Sequence, residues 1–226
     1  MKRARRDADR RRPVARALVA LALACGVRPA AAADGAVPPA RTVAVGLLAG
    51  SAQPVAGMAD YQWDIRPHAA WGGQWLVARG PVAAGVRFWH SGTTQALGLP
   101  GVTDPSVRAN SLELVARVRC ASWRELRFSA LASAGRLSLT WSPDRATVTS
   151  GGTPVEVAFT PVHEWVGGAG LAAGWPLTTN WEWSIETERR AYALDTAHRQ
   201  GSNVVEAREW FGDWAARVAL MRSWDW

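Results

Sequence analysis

Two cysteines, four phenylalanines and two tyrosines are all that 226 residues contain of those types, and these scarcities narrow the field. Cys25 falls in an N-terminal apolar run, which leaves Cys120 alone in the rest of the chain. A lone cysteine makes no internal disulfide, so this is not a disulfide-stapled scaffold. Four scattered histidines without cysteine partners give no recognisable ligand spacing, and neither a metal nor a cofactor is expected. Beyond the N-terminus no segment approaches about 18 uninterrupted apolar residues, which argues against a helical membrane anchor. The Gly-rich stretches GGAG (167–170) and SGGT (150–153) lack the following Lys-Ser/Thr and helix of a phosphate loop, and read as close-packed strand and turn.

A basic surface is missing too, although the net charge is +7. Residues 1–33 hold nine basic groups (Lys2, Arg3, Arg5, Arg6, Arg10, Arg11, Arg12, Arg16 and Arg28) against Asp7 and Asp9, which accounts for the whole excess. The remainder carries seventeen basic and seventeen acidic groups. A nucleic-acid partner needs its basic excess on the folded domain, so none is expected. The same 33 residues have the three parts of a secretory signal: basic MKRARRDADRRR, apolar ARALVALALACGV and the small-residue run PAAAAD. Cleavage is expected after Ala31 to Ala33, leaving a linker over 34–41 and one all-β domain over 42–226. A lipoprotein anchor on Cys25 is the alternative, with A-L-A before it a poor lipobox.

What the domain does have is alternation with a period of two. In QWDIRPHAAWGGQW (62–75), Trp63, Ile65, Trp71 and Trp75 share one face and Asp64, Arg66, His68 and Gln74 the other. Similar runs occur at 42–50, 63–78, 82–89, 111–120, 125–141, 154–175, 181–190 and 210–226, an even number of strands. The run 125–141 changes parity between Ala132 and Leu137, for which a bulge near Gly135 is expected. Connections alternate short (ARGP, ASWR, PLTTN) and long, as in an up-and-down barrel with tight turns at one end and loops at the other.

Parity alone does not say which face points out. Three features place the apolar face outside. Fourteen Trp outnumber Phe and Tyr together, and many sit near strand ends: Trp63, Trp89, Trp141 and Trp210 by the long loops, Trp123, Trp175, Trp181, Trp224 and Trp226 by the short turns. Indole, apolar with one N–H that seeks water, suits the two interfaces of a lipid slab. The apolar face, with its Gly, Ala and isolated rings, would also fill a soluble core poorly. Finally, the alternating last strand ends on Trp224 and Trp226.

That ending resembles the C-terminal signature of bacterial outer-membrane β-barrels, and the mature chain as a whole resembles their small eight-stranded members. The resemblance implies an eight-stranded antiparallel up-and-down transmembrane β-barrel, monomeric, in outer-membrane lipid, inserted by barrel-insertion machinery that reads the last strand. Arg222 departs from the pattern, lying at an outward position usually apolar; near an interface it can snorkel. Pro67 and Pro161 lack the N–H a closed ladder needs, so they are expected at bulges or above the membrane.

With the oily face outside, the interior is expected to collect Asp64, Arg66, His68, Arg87, Glu113, Arg117, Arg119, Arg127, Glu156, Glu164, Glu182, Glu186, Glu188, Asp213 and Arg217. An eight-stranded lumen is only wide enough for side chains, so these charges should pair into a plug, with Arg117–Glu186 one plausible pair. A narrow ion path is the alternative. His90-Ser91 invites comparison with eight-stranded lipid A deacylases, but HSGT differs from their His-x-Ser-Asn, and adjacent strand residues point opposite ways. The expectation is therefore a barrel without enzymatic activity that acts structurally or through its external loops. The alternatives are such a deacylase, or a soluble lipocalin-like barrel with the Trp-rich face turned inward.

Overall fold

The computed structural model describes residues 41–55, 63–97, 102–150, 153–200 and 203–225. The expected signal peptide, most of the linker and Trp226 lie outside these residues. Ten strands and no helix form among them: β1 (Arg41–Pro54), β2 (His68–Arg79), β3 (Val82–Thr94), β4 (Ser106–Trp123), β5 (Leu126–Ser142), β6 (Arg145–Ser150), β7 (Thr153–Ala158), β8 (Val162–Pro176), β9 (Trp181–Gln200) and β10 (Asn203–Asp225). Eight of them close into an antiparallel up-and-down barrel in the order β1-β10-β9-β8-β5-β4-β3-β2, and β6 pairs with β7 in a separate hairpin.

The tight ends have a local cause. Gly80 and Arg124 adopt φ of 63° and 54° in the turns joining β2 to β3 and β4 to β5. Two-residue hairpin turns need this left-handed backbone to match the twist of their strands.

Register fixes the barrel's width. Directly paired residues run Pro54, Asp213, Arg190, Gly168, Ser133, Val115, Gly85, Leu76 and back to β1 at Ala44. One circuit therefore slips ten residues along β1. With a rise of ~3.3 Å per residue and ~4.8 Å between strands, that shear tilts the strands by roughly 40° and gives a radius of roughly 8 Å. Such a ring leaves room inside for side chains only.

The oily face is outside. Leu112, Leu114 and Leu171 are 63%, 68% and 67% exposed on the outer wall, whereas Arg87, Glu113, Glu186 and Arg217 in the lumen are each 1% exposed. Val45, Leu47, Trp71, Trp75, Val86, Ile185, Val218 and Leu220 continue the outer band around the ring.

Several expectations give way. The ladder runs without interruption through Gly135 on both its β4 and β8 sides, so β5 keeps one phase. Leu137 and Leu139 are buried because this end of the lumen is apolar. They pack with Trp63, Val107, Val166, Tyr192, Leu194 and Phe211. The one register shift lies between Arg119 and Ala121 on β4. The expected strand 154–175 is two elements, β7 outside the barrel and β8 in its wall, separated by residues 159–161 with Pro161 next to β8. Pro67 likewise precedes β2, so both prolines sit where no ladder N–H is needed. The last long connection, expected to be partly strand extension, is mostly strand, with β9 and β10 paired up to Gln200 and Asn203.

Orientation has a measurable consequence. Leu139→Ala is expected to destabilise the folded protein by about 2–5 kcal/mol, the cost of a cavity in a packed core. Leu114→Ala should cost less than about 1 kcal/mol, since no protein packs over it. Urea unfolding of both variants in detergent micelles compares them.

Candidate functional site: the ionic lumen

Strand parity lines up the charges. On β9, Glu182, Glu186, Glu188 and Arg190 share one parity, and all but the half-buried Glu182 are sealed from solvent. Arg87 enters from β3, Glu113 and Arg117 from β4, Arg127 from β5, and Asp213 and Arg217 from β10. The cluster thus holds five arginines and five carboxylates, and is electrically balanced.

Arg87 is its centre. Its Nη2 donates to Glu113 and, at 2.6 Å, to Glu188, and its Nε donates to Glu113 at 3.1 Å. Arg217 Nη1 donates to the same Glu188 oxygen at 2.5 Å, and its guanidinium lies 4.6 Å from the centre of the buried Trp89 ring. Arg190 grips Asp213 with two parallel bonds, Nε to Oδ1 at 2.7 Å and Nη2 to Oδ2 at 2.8 Å. Its Nη1 reaches Glu113 at 3.4 Å, which links that fork to the Arg87 centre.

Toward the short turns, Arg117 donates to Glu186 and Arg127 Nη1 to Glu182 at 3.1 Å. Ser111 donates to Glu113 at 2.7 Å, Ser133 donates to Glu188, and Gln74 Nε2 reaches Glu186 at 3.4 Å. Gly168 makes room for this, since a Cβ there would collide with the Glu188 carboxylate and the Ser133 hydroxyl. Burying ions is expensive in itself, so mutual pairing is what makes the arrangement tolerable. Above the network the lumen is closed by the apolar cluster that contains Trp63. Beside it, Leu48, Leu76, Trp89, Val115 and Met221 form a second apolar cluster.

The structure sorts the candidate residues. Arg87, Glu113, Arg117, Glu182, Glu186, Asp213 and Arg217 come together, with Arg127 and Glu188. Glu156 does not: it is exposed on β7 in the outer hairpin, where Arg145 Nη1 donates to it at 2.8 Å. Arg119 is exposed, at the register shift near the end of β4. Glu164 accepts from Arg208 at 2.5 Å at the rim, and Arg208 also holds Asp195 at 2.7 Å.

Asp64, Arg66 and His68 stand at the long-loop mouth, because β2 begins only at His68. Thr93 Oγ1 there donates to the Asp64 carbonyl at 2.8 Å and lies 3.1 Å from His68 Nε2, which ties the loop to β3. Arg66 donates to both carboxylate oxygens of Asp64, at 3.0 and 2.6 Å, and these bonds hold that carboxyl down to about 2.

Arg190 was missed by sequence reasoning. The doublet Arg189-Arg190 ends the expected strand, and only parity carried one step further separates the two. Arg190 enters the lumen, while Arg189 stays outside, 5.7 Å from the Trp214 ring centre.

Of the interface tryptophans, Trp75, Trp123, Trp181, Trp210 and Trp224 are exposed, and Trp175 is partly buried, edge-on to Trp183 at 3.8 Å. Trp63 and Trp141 depart from expectation. Trp63 is 6% exposed within the apolar plug, and Trp141 turns its Nε1 to Gln95 Oε1 at 2.7 Å. Trp89 is also internal. Arg222 is exposed as its parity implies, with its guanidinium 5.1 Å from the Trp224 ring centre.

His90 and Ser91 do not converge. His90 packs on Trp71 at 5.1 Å and lies 2.7 Å from Asn110 Oδ1, whereas Ser91 is buried on the lumen side. Among the described residues no group of three or more His, Cys, Asp or Glu could hold a metal ion.

No protein-family model matches the chain, and no curated protein matches it. Solved structures similar to it include a major outer membrane protein of Thermus thermophilus, 13% identical over 80% of this chain and 99% of that one, with a TM-score of 0.45. Ail, the attachment invasion locus protein of Yersinia pestis, is 13% identical over 82% and 99%, with a TM-score of 0.39. The outer membrane protease OmpT of Escherichia coli is 11% identical over 84% and 98%, with a TM-score of 0.35. At such values the likenesses assign the chain no role.

Replacing Arg87 by Met takes one of two arginine partners from both Glu113 and Glu188, and should cost about 3–5 kcal/mol in micellar unfolding. Adding Glu113→Gln should restore part of that loss rather than add to it. Asp64 gives a pH signature. Its folded carboxyl titrates near 2, below an ordinary ~3.9. The Asp64–Arg66 pairing is therefore fully present above about pH 4 and is lost as pH falls through about 2. A carboxyl-carbon NMR titration should place the midpoint near 2, and Arg66→Gln should raise it.

Proposed function

We propose that this protein is a closed bacterial outer-membrane β-barrel, exported by the signal peptide of residues 1–33, which acts without catalysis and presents its loops and projecting hairpins as a contact surface. The observation that carries this reading is the inversion of the wall. Large apolar side chains ring the outside while seven charges are sealed within. In water, the exposed ring of Leu112, Leu114, Leu171, Trp71 and Trp165 would be a strong aggregation liability. In lipid it is the natural surface. A closed ladder also satisfies the backbone polar groups that a bilayer cannot.

An outward apolar band of ~25 Å takes about ten residues of each tilted strand, and the barrel strands are long enough to supply it, from 12 to 23 residues. Export through residues 1–33, recognition of the last strand by insertion machinery and a monomeric state are parts of the same proposal.

The non-conducting part rests on the balanced ionic layer capped by the apolar cluster around Leu139 and Phe211. The soluble ligand-binding alternative would need a Trp-lined cavity, and the lumen is instead filled. The deacylase alternative would need Ser and His on one face, and His90 and Ser91 lie on opposite ones. What remains for an envelope role is the exterior: the β6–β7 hairpin, the extended β9–β10 hairpin and the two long loops.

The test is fractionation of cells expressing the full chain, with unheated and heated samples compared on a gel. Outer-membrane recovery with a band that shifts on heating is expected. A detergent-free periplasmic protein would overturn the reading. Leu114→Arg, near the middle of the apolar band, should lower stability in lipid vesicles by about 2–4 kcal/mol. Planar bilayers should show no resolved conductance steps.

A further inference from the structure

The outer wall holds charge as well as oil, and it is placed unevenly. Two adjacent rows of directly paired residues cross β3, β4, β5 and β8 on the long-loop side of the apolar band. The lower row is Phe88, Leu112, Arg136 and Trp165, and the upper is His90, Asn110, Ser138 and His163. Between them lies a depression lined by Phe88, Asn110, Leu112, Arg136, Ser138 and His163. Its lower edge is apolar at Phe88, Leu112 and Trp165 and carries Arg136 among them. Its upper edge is polar, and its charge has a single sign.

Arg136 is exposed, with its guanidinium carbon 4.7 Å from the centre of the Trp165 ring. Arg108 stands one row higher on β4, paired with Thr140. No acid occupies the outward positions of these rows. Glu164, beside His163 and Trp165 in sequence, has the opposite parity and is held by Arg208. Among the described residues neither Arg136, Arg108 nor His163 has a carboxylate partner. The contrast with the lumen is sharp, since there every arginine is matched to an acid.

A solvated arginine on a soluble protein would call for no explanation. Here the cation stands where the wall passes from apolar to polar, the depth at which lipid heads lie if the membrane reading holds. We propose that this depression binds the phosphate-bearing head of a membrane lipid in the leaflet on the long-loop side, with its acyl chains lying down the wall over Phe88 and Leu112. Three chemical facts select that occupant. The edge is basic without a counter-charge. Arg136, His163, Asn110 and Ser138 bring donors from three strands, which suits an anion with several acceptor oxygens better than a single carboxylate. The apolar part of the lower edge, Phe88 and Leu112, fits a chain and not water. His90 Nδ1 lies 2.7 Å from Asn110 Oδ1, which leaves the Asn110 amide nitrogen as the donor to the head. The contact with the Trp165 ring restrains the Arg136 guanidinium, so less order is lost on binding.

This inference rests on the membrane reading, and the two can fail separately. The full chain, folded in neutral detergent micelles and checked by its heat-shifted band, is titrated with phosphatidic acid, with diacylglycerol of the same chains, and with soluble glycerol phosphate. Bound molecules are counted by native mass spectrometry. One phosphatidic acid should be retained in preference to diacylglycerol, and glycerol phosphate at equal concentration should not displace it. Arg136→Gln with His163→Gln should weaken retention roughly tenfold, the order expected for losing charge-assisted hydrogen bonds. Ser138→Phe fills the depression while keeping both charges and should weaken it as well. Equal retention with and without the phosphate, or no effect of either variant, would overturn the site while leaving the barrel intact. Displacement by glycerol phosphate would overturn the lipid as its source. A chain that folds in buffer without detergent would remove the membrane reading and this site with it.

Discussion

Closure of the hydrogen-bond ladder is the constraint on which the other features depend. Each barrel strand is paired on both sides over its central portion, and the circuit slips ten residues along β1. Eight strands at that shear leave a tube of roughly 8 Å radius. A tube of that width is filled by inward side chains, so the composition of the inward parity decides what the protein can be. Here it is ionic in the middle and apolar toward the long loops, so the lumen is occupied by paired charges and then by packed apolar side chains.

The ionic layer follows from the same narrowness. Five arginines and five carboxylates within one lumen could not remain unpaired without a prohibitive desolvation cost. Forked arginines solve this by bridging acids from different strands: Arg87 joins Glu113 of β4 to Glu188 of β9, and Arg190 joins Asp213 of β10 to Glu113. The network thereby stitches opposite walls of the barrel together. Outside, where no such crowding exists, the arginines lie on aromatic rings instead: Arg136 on Trp165, Arg189 on Trp214, Arg222 on Trp224. One residue type serves two environments, as planar guanidinium allows.

Much of this was legible in the order of residues. Alternation in β3, in the first half of β4, in β8 and in β10 separates wall from lumen correctly, and the short turns mark one end of the barrel. What misled was the assumption that an inward face is polar along its whole length. Leu137, Leu139, Trp63 and Trp141 belong to an interior that turns apolar toward the loops, so their chemistry imitates the outer face. Glu156 misled for another reason: its alternation is real, but it belongs to a hairpin that never joins the barrel.

The sequence by itself determined the period of two, the number of wall strands, the sorting of tight turns from long connections, and the presence of one oily and one charged face, because these depend only on neighbours along a strand. Only the tertiary structure decided which arginine meets which acid, where the lumen changes from salt to oil, and that His90, Asn110, Ser138 and His163 form one row. Those facts depend on the shear of the closed ring, which places residues 20 to 30 positions apart side by side. No local pattern encodes that offset; it is set by all eight strands closing at once.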